Sequence, residues 1–126
     1  MKTSARSLKY LHGLGYESAV TVERRVPPGI TIDLWNFIDI LVLDDHPGVL
    51  GVQACSSSDL NPHIKKIQDN PFAPIFLQRN NRLQIQAWRK VYKKGTKIKK
   101  WIPRIVDVSL KDGILVFSEQ VKDKVC

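Results

Sequence analysis

The sequence predicts an α/β fold built on a mixed central sheet, and three observations predict it. Apolar residues recur at helical spacing near the start of the chain and again around residues 63–67. Between and after these stretches lie runs rich in β-branched and aromatic residues, separated by Gly, Pro and Asp turn chemistry. At 126 residues, 43% hydrophobic and 25% charged, the chain is long and apolar enough to bury one core and too apolar to be disordered.

The elements follow in order. Residues 3–14 place Ala5, Leu8, Leu11 and Leu14 at near-helical spacing beside Tyr10, with Thr3 or Ser4 as cap and Gly13 or Gly15 as stop. Residues 16–26, with Val20, Thr21 and Val22, read as a first strand that Pro27-Pro28-Gly29 ends. Residues 32–43 are apolar and aromatic throughout, the pattern of a strand buried on both faces. Asp44-Asp45-His46-Pro47-Gly48 is turn chemistry, and residues 49–55 return as a second buried strand. After the polar loop Ser56-Ser57-Ser58-Asp59, Asp59 or Asn61 can cap a helix holding His63, Ile64, Lys65, Lys66 and Ile67, with Pro62 in its first turn.

Pro71 and Pro74 bound the next loop, and residues 73–78 read as a short helix. Residues 82–92 alternate Leu83, Ile85, Ala87 with Gln84, Gln86, Trp88, a strand signature. Lys93-Lys94-Gly95-Thr96 and Lys111-Asp112-Gly113 are hairpin turns around strands at 97–109 and 114–118. The order is α-β-β-β-α-β followed by extra C-terminal β-strands. No repeat or linker interrupts it, so residues 1–126 are expected to form a single domain.

Charge is unevenly spread. Residues 1–60 carry a net −2 and residues 61–126 a net +10, and residues 79–104 hold ten basic side chains and no acid. A field of that sign suits a polyanion, because neutralised phosphates release condensed counterions. The candidate nucleic-acid contacts are Arg89, Lys90, Lys93, Lys94, Lys97, Lys99, Lys100 and Trp101. Trp101, set among lysines, is the better base-stacking candidate, whereas Trp88 reads as strand packing. A solvated basic face kept for solubility is the alternative.

Other function classes find no foothold. No apolar run approaches the roughly 18 residues that would span a membrane, and the N-terminus lacks the apolar stretch of a signal peptide. Cys55 and Cys126 show no metal-ligand spacing and no disulfide is expected, which fits a reducing cytoplasm. Asp44-Asp45 is turn chemistry, Ser56-Ser57-Ser58 has no nucleophile-elbow context, and no phosphate-cradling glycine loop occurs.

Asp39 is the residue that resists a structural explanation, since burying a lone carboxylate in an apolar strand is costly. It precedes Gln53-Ala54-Cys55 on the returning strand, where alternation puts Gln53 and Cys55 on one face and Val52 and Ala54 on the other, toward the core.

The order αβββαβ, with Asp39 before a Gln53-Ala54-Cys55 triplet, resembles the PD-(D/E)XK nuclease superfamily over residues 3–91. Within it, residues 33–41, Gly51-Val52-Gln53, Lys65-Lys66-Ile67 and Trp88-Arg89-Lys90 are similar to small phage and prophage proteins of that fold. The triplet is a Gln-x-(Cys/Thr) variant of Glu-x-Lys, and Gln in first place also resembles the Mrr-type restriction endonucleases. The resemblance implies a restriction-endonuclease-like core and a Mg²⁺- or Mn²⁺-dependent DNA endonuclease, phage-encoded and working in the bacterial cytoplasm. It further implies branched or structured DNA as substrate and a homodimer.

On that resemblance Asp39 is the main metal ligand, with neutral oxygens from the Gln53 side chain and the Ala54 carbonyl. Glu23 or Asp33 would offset the charge lost at Gln53. Cys55 stands where the lysine belongs, and Lys65 or Lys66 on the following helix would replace it, with His63 a further donor. Plainer readings stand beside these: Asp33 paired with Arg24 or Arg25, Gln53 satisfying backbone groups, Cys55 as a small buried hydrophobe, Lys65 and Lys66 on a solvated helix face. Two other functions compete, a catalytically degenerate nucleic-acid-binding protein on the same fold and a module whose basic face docks an acidic protein.

Overall fold

The computed structural model describes residues 2–120; Cys126 lies outside them. Along the chain run α1 (Thr3–Gly13), β1 (Val20–Thr21), β2 (Arg24–Val26), β3 (Ile30–Ile32), β4 (Ile40–Val42) and β5 (Leu50–Ser56). A 3₁₀ turn (Ser57–Asp59) leads into α2 (Leu60–Gln68) and α3 (Phe72–Gln78), followed by β6 (Arg82–Tyr92), β7 (Lys99–Lys111) and β8 (Ile114–Glu119). The main sheet has the order β1-β4-β5-β6-β7-β8, in which only β5 and β6 are parallel neighbours. A parallel pair requires a crossover, and α2 with α3 supplies it. The fold is therefore α/β with a mixed sheet.

Helices cover both faces of the sheet, which is why its central strands read as near-continuous apolar runs. Leu50 and Val52 of β5 pack with Leu11 of α1, Ala19, Ile40 and Val42. On the opposite face Cys55, Ile85, Ala87 and Val106 pack with Leu60, Ile67, Ala73 and Phe76 of the crossover. Truncating a fully buried side chain such as Ile85 to Ala costs about 2–5 kcal/mol. Both faces of β5 are core, so the expected division, with only Val52 and Ala54 turned inward, does not hold: Gln53 and Cys55 are buried as well.

Two expected strands are broken, and the breaks build the site. Residues 16–26 are not one strand: β1 pairs with β4, whereas β2 pairs with β3 in a separate two-stranded hairpin closed by Pro27-Pro28-Gly29. Residues 32–43 are not one strand either, because only β4 is extended in the sheet. Before it, Leu34 and Ile38 exchange backbone hydrogen bonds (N–H to O, 2.8 and 3.0 Å) across a pinched loop, with Trp35 and Asn36 at φ 50° and 67°. The apolar signal in this loop came from Phe37 and Ile38, which are fully buried core residues rather than strand residues.

Smaller boundaries also shift. Thr3 and Ser4 do not cap α1, and neither Asp59 nor Asn61 caps α2 through its side chain. β7 starts at Lys99, two residues later than expected. Asp44 has a role beyond the turn: its buried carboxylate accepts from both terminal nitrogens of Arg82, at 2.7 and 2.5 Å, tying the β4–β5 turn to β6.

Candidate metal centre

Three backbone registers converge on Asp39. The β4–β5 ladder pairs Ile40 with Val52, and one step further it sets Asp39 opposite Gln53. The Leu34–Ile38 pinch, extended one step, sets Asp33 opposite Asp39. Just beyond β1, Val22 donates its N–H to the Asp39 carbonyl at 2.9 Å, and Glu23 follows it. Carboxylate oxygens of Glu23, Asp33 and Asp39 consequently lie within 4.8 Å of one another.

Hydrogen bonds fix each group. Asp39 is 3% exposed, and its Oδ2 accepts from the Ala54 N–H and from Gln53 Nε2, both at 2.8 Å. Gln53 Nε2 also reaches Asp33 Oδ2 at 3.3 Å, and Lys66 Nζ donates to the same oxygen at 3.3 Å. Ser4, on the first turn of α1, donates to Glu23 Oε1 at 2.7 Å. Gln53 is 1% exposed and its Oε1 is buried without a partner, a cost of about 1–3 kcal/mol for an oxygen left bare.

The site lies in a cleft of about 360 Å³ at the carboxyl end of β5, between the start of α1 and the 3₁₀ turn leading to α2. Burial first, and then the hydrogen bond with Asp33 and its charge, push the Asp39 carboxyl up to about 8 against the pull of the Ala54 N–H. Burial pushes Asp33 the same way, but hydrogen bonds from Asp39 and Gln53 and the Lys66 ammonium outweigh it and hold Asp33 below the ordinary carboxylate value. Burial therefore favours one proton held within the pair, with Asp39 the partner pushed toward the neutral form, because adjacent carboxylates out of water cannot both ionise cheaply.

His63 also lines the cleft. Its Nδ1 is buried and unpartnered, and burial foremost, followed by Lys66, lowers its pKa, so the ring is neutral at pH 7.

Of the residues singled out in the sequence, Asp39, Gln53, Ala54, Glu23, Asp33 and Lys66 come together here. Asp33 pairs with Lys66, not with Arg24 or Arg25. Ala54 contributes its N–H to Asp39. Lys65 is 76% exposed and pairs with Asp69 one turn along α2, away from the carboxylates. Cys55 is core, and burial, then Asp59 and Asp39, raise its thiol to about 12. Ser4, which by its place at a helix start reads only as a cap, instead donates to Glu23 across the cleft.

The basic residues form a structure of their own. β6 runs parallel to β5, whose last residue Ser56 sits opposite Trp88. Arg89, Lys90 and the following residues therefore project past the cleft's end of the sheet, about 14 Å for the four residues to Tyr92 at ~3.4 Å each. Lys93, Lys94 and Lys97 line the turn and Lys99 and Lys100 return on β7, all exposed. Trp101 carries Arg6 over its ring at 3.9 Å and Lys90 at 4.9 Å, so both cations already occupy the ring a base would stack on. Trp88 is buried, edge-on to Tyr10, with its indole N–H donated to Ser7 Oγ at 2.7 Å.

Among the described residues no helix is long and apolar enough to cross a membrane. No family model, curated protein or solved structure matches the chain.

Proposed function

We propose that the chain is a DNA endonuclease dependent on Mg²⁺ or Mn²⁺. The observation that carries this reading is the convergence of the Glu23, Asp33 and Asp39 carboxylates, with the buried Gln53 amide donating to both Asp33 and Asp39. The carboxylates offer hard oxygens, the kind that suit Mg²⁺ or Mn²⁺ rather than a soft metal. A divalent cation held by them would polarise a phosphoryl oxygen and acidify a bound water.

The chain's own groups do the rest. Asp39 gives up its proton when the carboxylates take a cation. Lys66 holds Asp33 ionised and places a positive charge at the cleft, the role the triplet's missing lysine would have had. The exposed hairpin of β6 and β7 neutralises backbone phosphates on either side, positioning DNA without reading bases.

A second reading, binding without cleavage, is favoured by Cys55, whose core position leaves no cation on the strand beside Gln53. Incubating the protein with supercoiled, single-stranded and branched DNA in Mn²⁺, beside Asp39→Ala, separates the two. Cleavage lost in Asp39→Ala with DNA affinity retained supports the nuclease. DNA affinity without cleavage in the wild type supports the binder.

A further inference from the structure

The pinched loop that returns Asp33 to Asp39 also exposes an aromatic ring. Trp35 is 50% exposed, although Phe37 and Ile38, just after it, are core. Its φ of 50° and that of Asn36, 67°, are left-handed values that cost a bulky residue on the order of 1–3 kcal/mol. They persist because the Leu34–Ile38 bridge and the Asn70 Nδ2 donation to the Trp35 carbonyl, at 2.9 Å, hold the backbone from two sides.

A groove of about 660 Å³ runs along this ring, and Asp33 lines both it and the metal cleft. Arg24 lines the groove, and Arg79 lines a second hollow that also borders Trp35. Among the described residues neither arginine has a salt-bridge partner. An exposed indole lining two hollows that each hold an unpaired arginine, the first of them sharing Asp33 with the carboxylate cleft, suits the alternation of base and phosphate in a nucleic-acid strand.

We infer that Trp35 is a stacking platform for an unpaired nucleotide of the DNA strand leaving the cleft, with Arg24 and Arg79 gripping its flanking phosphates. This rests on the nuclease reading and narrows it to DNA carrying a single-stranded segment beside the cut, because a base inside a duplex has no free face to offer the ring. Trp35 thereby replaces Trp101 as the aromatic that meets bases.

The test titrates the full-length protein, in Ca²⁺ to prevent cleavage, with labelled oligothymidylate and with blunt duplex of equal length. Trp35→Ala is expected to weaken oligothymidylate binding roughly tenfold or more and to leave duplex affinity within about twofold. Trp35→Phe retains most of the affinity, and the tryptophan fluorescence quenched by the oligonucleotide in the wild type is not quenched in that variant. Arg24→Ala and Arg79→Ala each reduce the log–log salt slope by about one.

Equal oligothymidylate affinity in the wild type and Trp35→Ala overturns the platform, as does an equal loss on both DNA forms. If Trp35→Ala is silent while Asp39→Ala abolishes cleavage, the platform alone falls. If Asp39→Ala cuts like the wild type, the nuclease reading falls and the platform with it.

Discussion

Gln53 Nε2 donates to Asp39 Oδ2 at 2.8 Å across the β4–β5 ladder, and the amide's own oxygen is left buried and bare. One side chain thus stabilises a buried carboxyl and presents an oxygen with nothing bound to it. That pairing requires the two strands in this register, since a one-residue slip would turn both groups to opposite faces.

The pH dependence follows from Asp39. Its folded pKa, raised to about 8, exceeds the ordinary carboxylate value it has when unfolded, so the folded state binds the extra proton between those limits. Metal-free stability from this group is therefore full at pH below about 4 and is lost as pH rises toward 8. Mn²⁺ must displace the same proton, so its affinity rises over that range by up to about tenfold per pH unit. Titration calorimetry at pH 6.5 in buffers of different ionisation enthalpy is expected to show about one proton released per ion.

Asp39→Asn is expected to separate stability from function. Asparagine keeps an oxygen for the Ala54 N–H and stays neutral at a pH where the aspartate begins to ionise beside Asp33 and Glu23. At pH 8 in EDTA the variant should unfold at higher denaturant than the wild type, by on the order of 1 kcal/mol, while its Mn²⁺ binding and cleavage disappear.

The two lysines of α2 are expected to diverge. Lys66→Ala removes the partner of Asp33 and should lower cleavage by about 10²–10³-fold, a loss typical of a group that stabilises developing charge. Lys65→Ala breaks only an exposed pair with Asp69 and should stay within about twofold in activity and about 0.5 kcal/mol in stability. Single-turnover rates with the same DNA measure both.

Cys55 is expected to be inert. With its thiol raised to about 12 and buried among Leu60, Ile67 and Ala87, it has neither the thiolate nor the access for alkylation. Iodoacetamide treatment followed by peptide mapping should leave it unmodified until denaturant is added. Cys55→Lys, which restores the triplet's lysine, should destabilise the protein rather than activate it, because the ammonium would enter an apolar core.

Gly48 guards the hairpin that carries the site. It sits at φ 74°, and a Cβ there would lie 2.1 Å from the backbone oxygen of Asn80. Gly48→Ala is expected to cost about 2–4 kcal/mol by denaturant unfolding and to weaken Mn²⁺ binding, because β4 and β5 can no longer close against the loop before β6.

Periodicity and turn chemistry located the helix at the start, the crossover helices and the long strands β5, β6 and β7, because each contributes a repeating apolar face to one core. Asp39 stood out for a similar reason: a charge within an apolar run contradicts its neighbours. Lys66 and Lys65 were indistinguishable in sequence, since adjacent helix positions point about 100° apart and only the packed orientation of α2 says which one meets Asp33.

By itself, then, the sequence determined the α/β class, the first helix, the crossover, the long strands and the basic character of the β6–β7 hairpin, all of which follow from local pattern and composition. Only the tertiary structure decided the site. An apolar run such as residues 32–43 is equally compatible with a strand and with a buried loop, and burial of Phe37 and Ile38 chose the loop. That choice brought Asp33 to Asp39, Glu23 to both, and Trp35 to the surface, contacts that no spacing along the chain encodes.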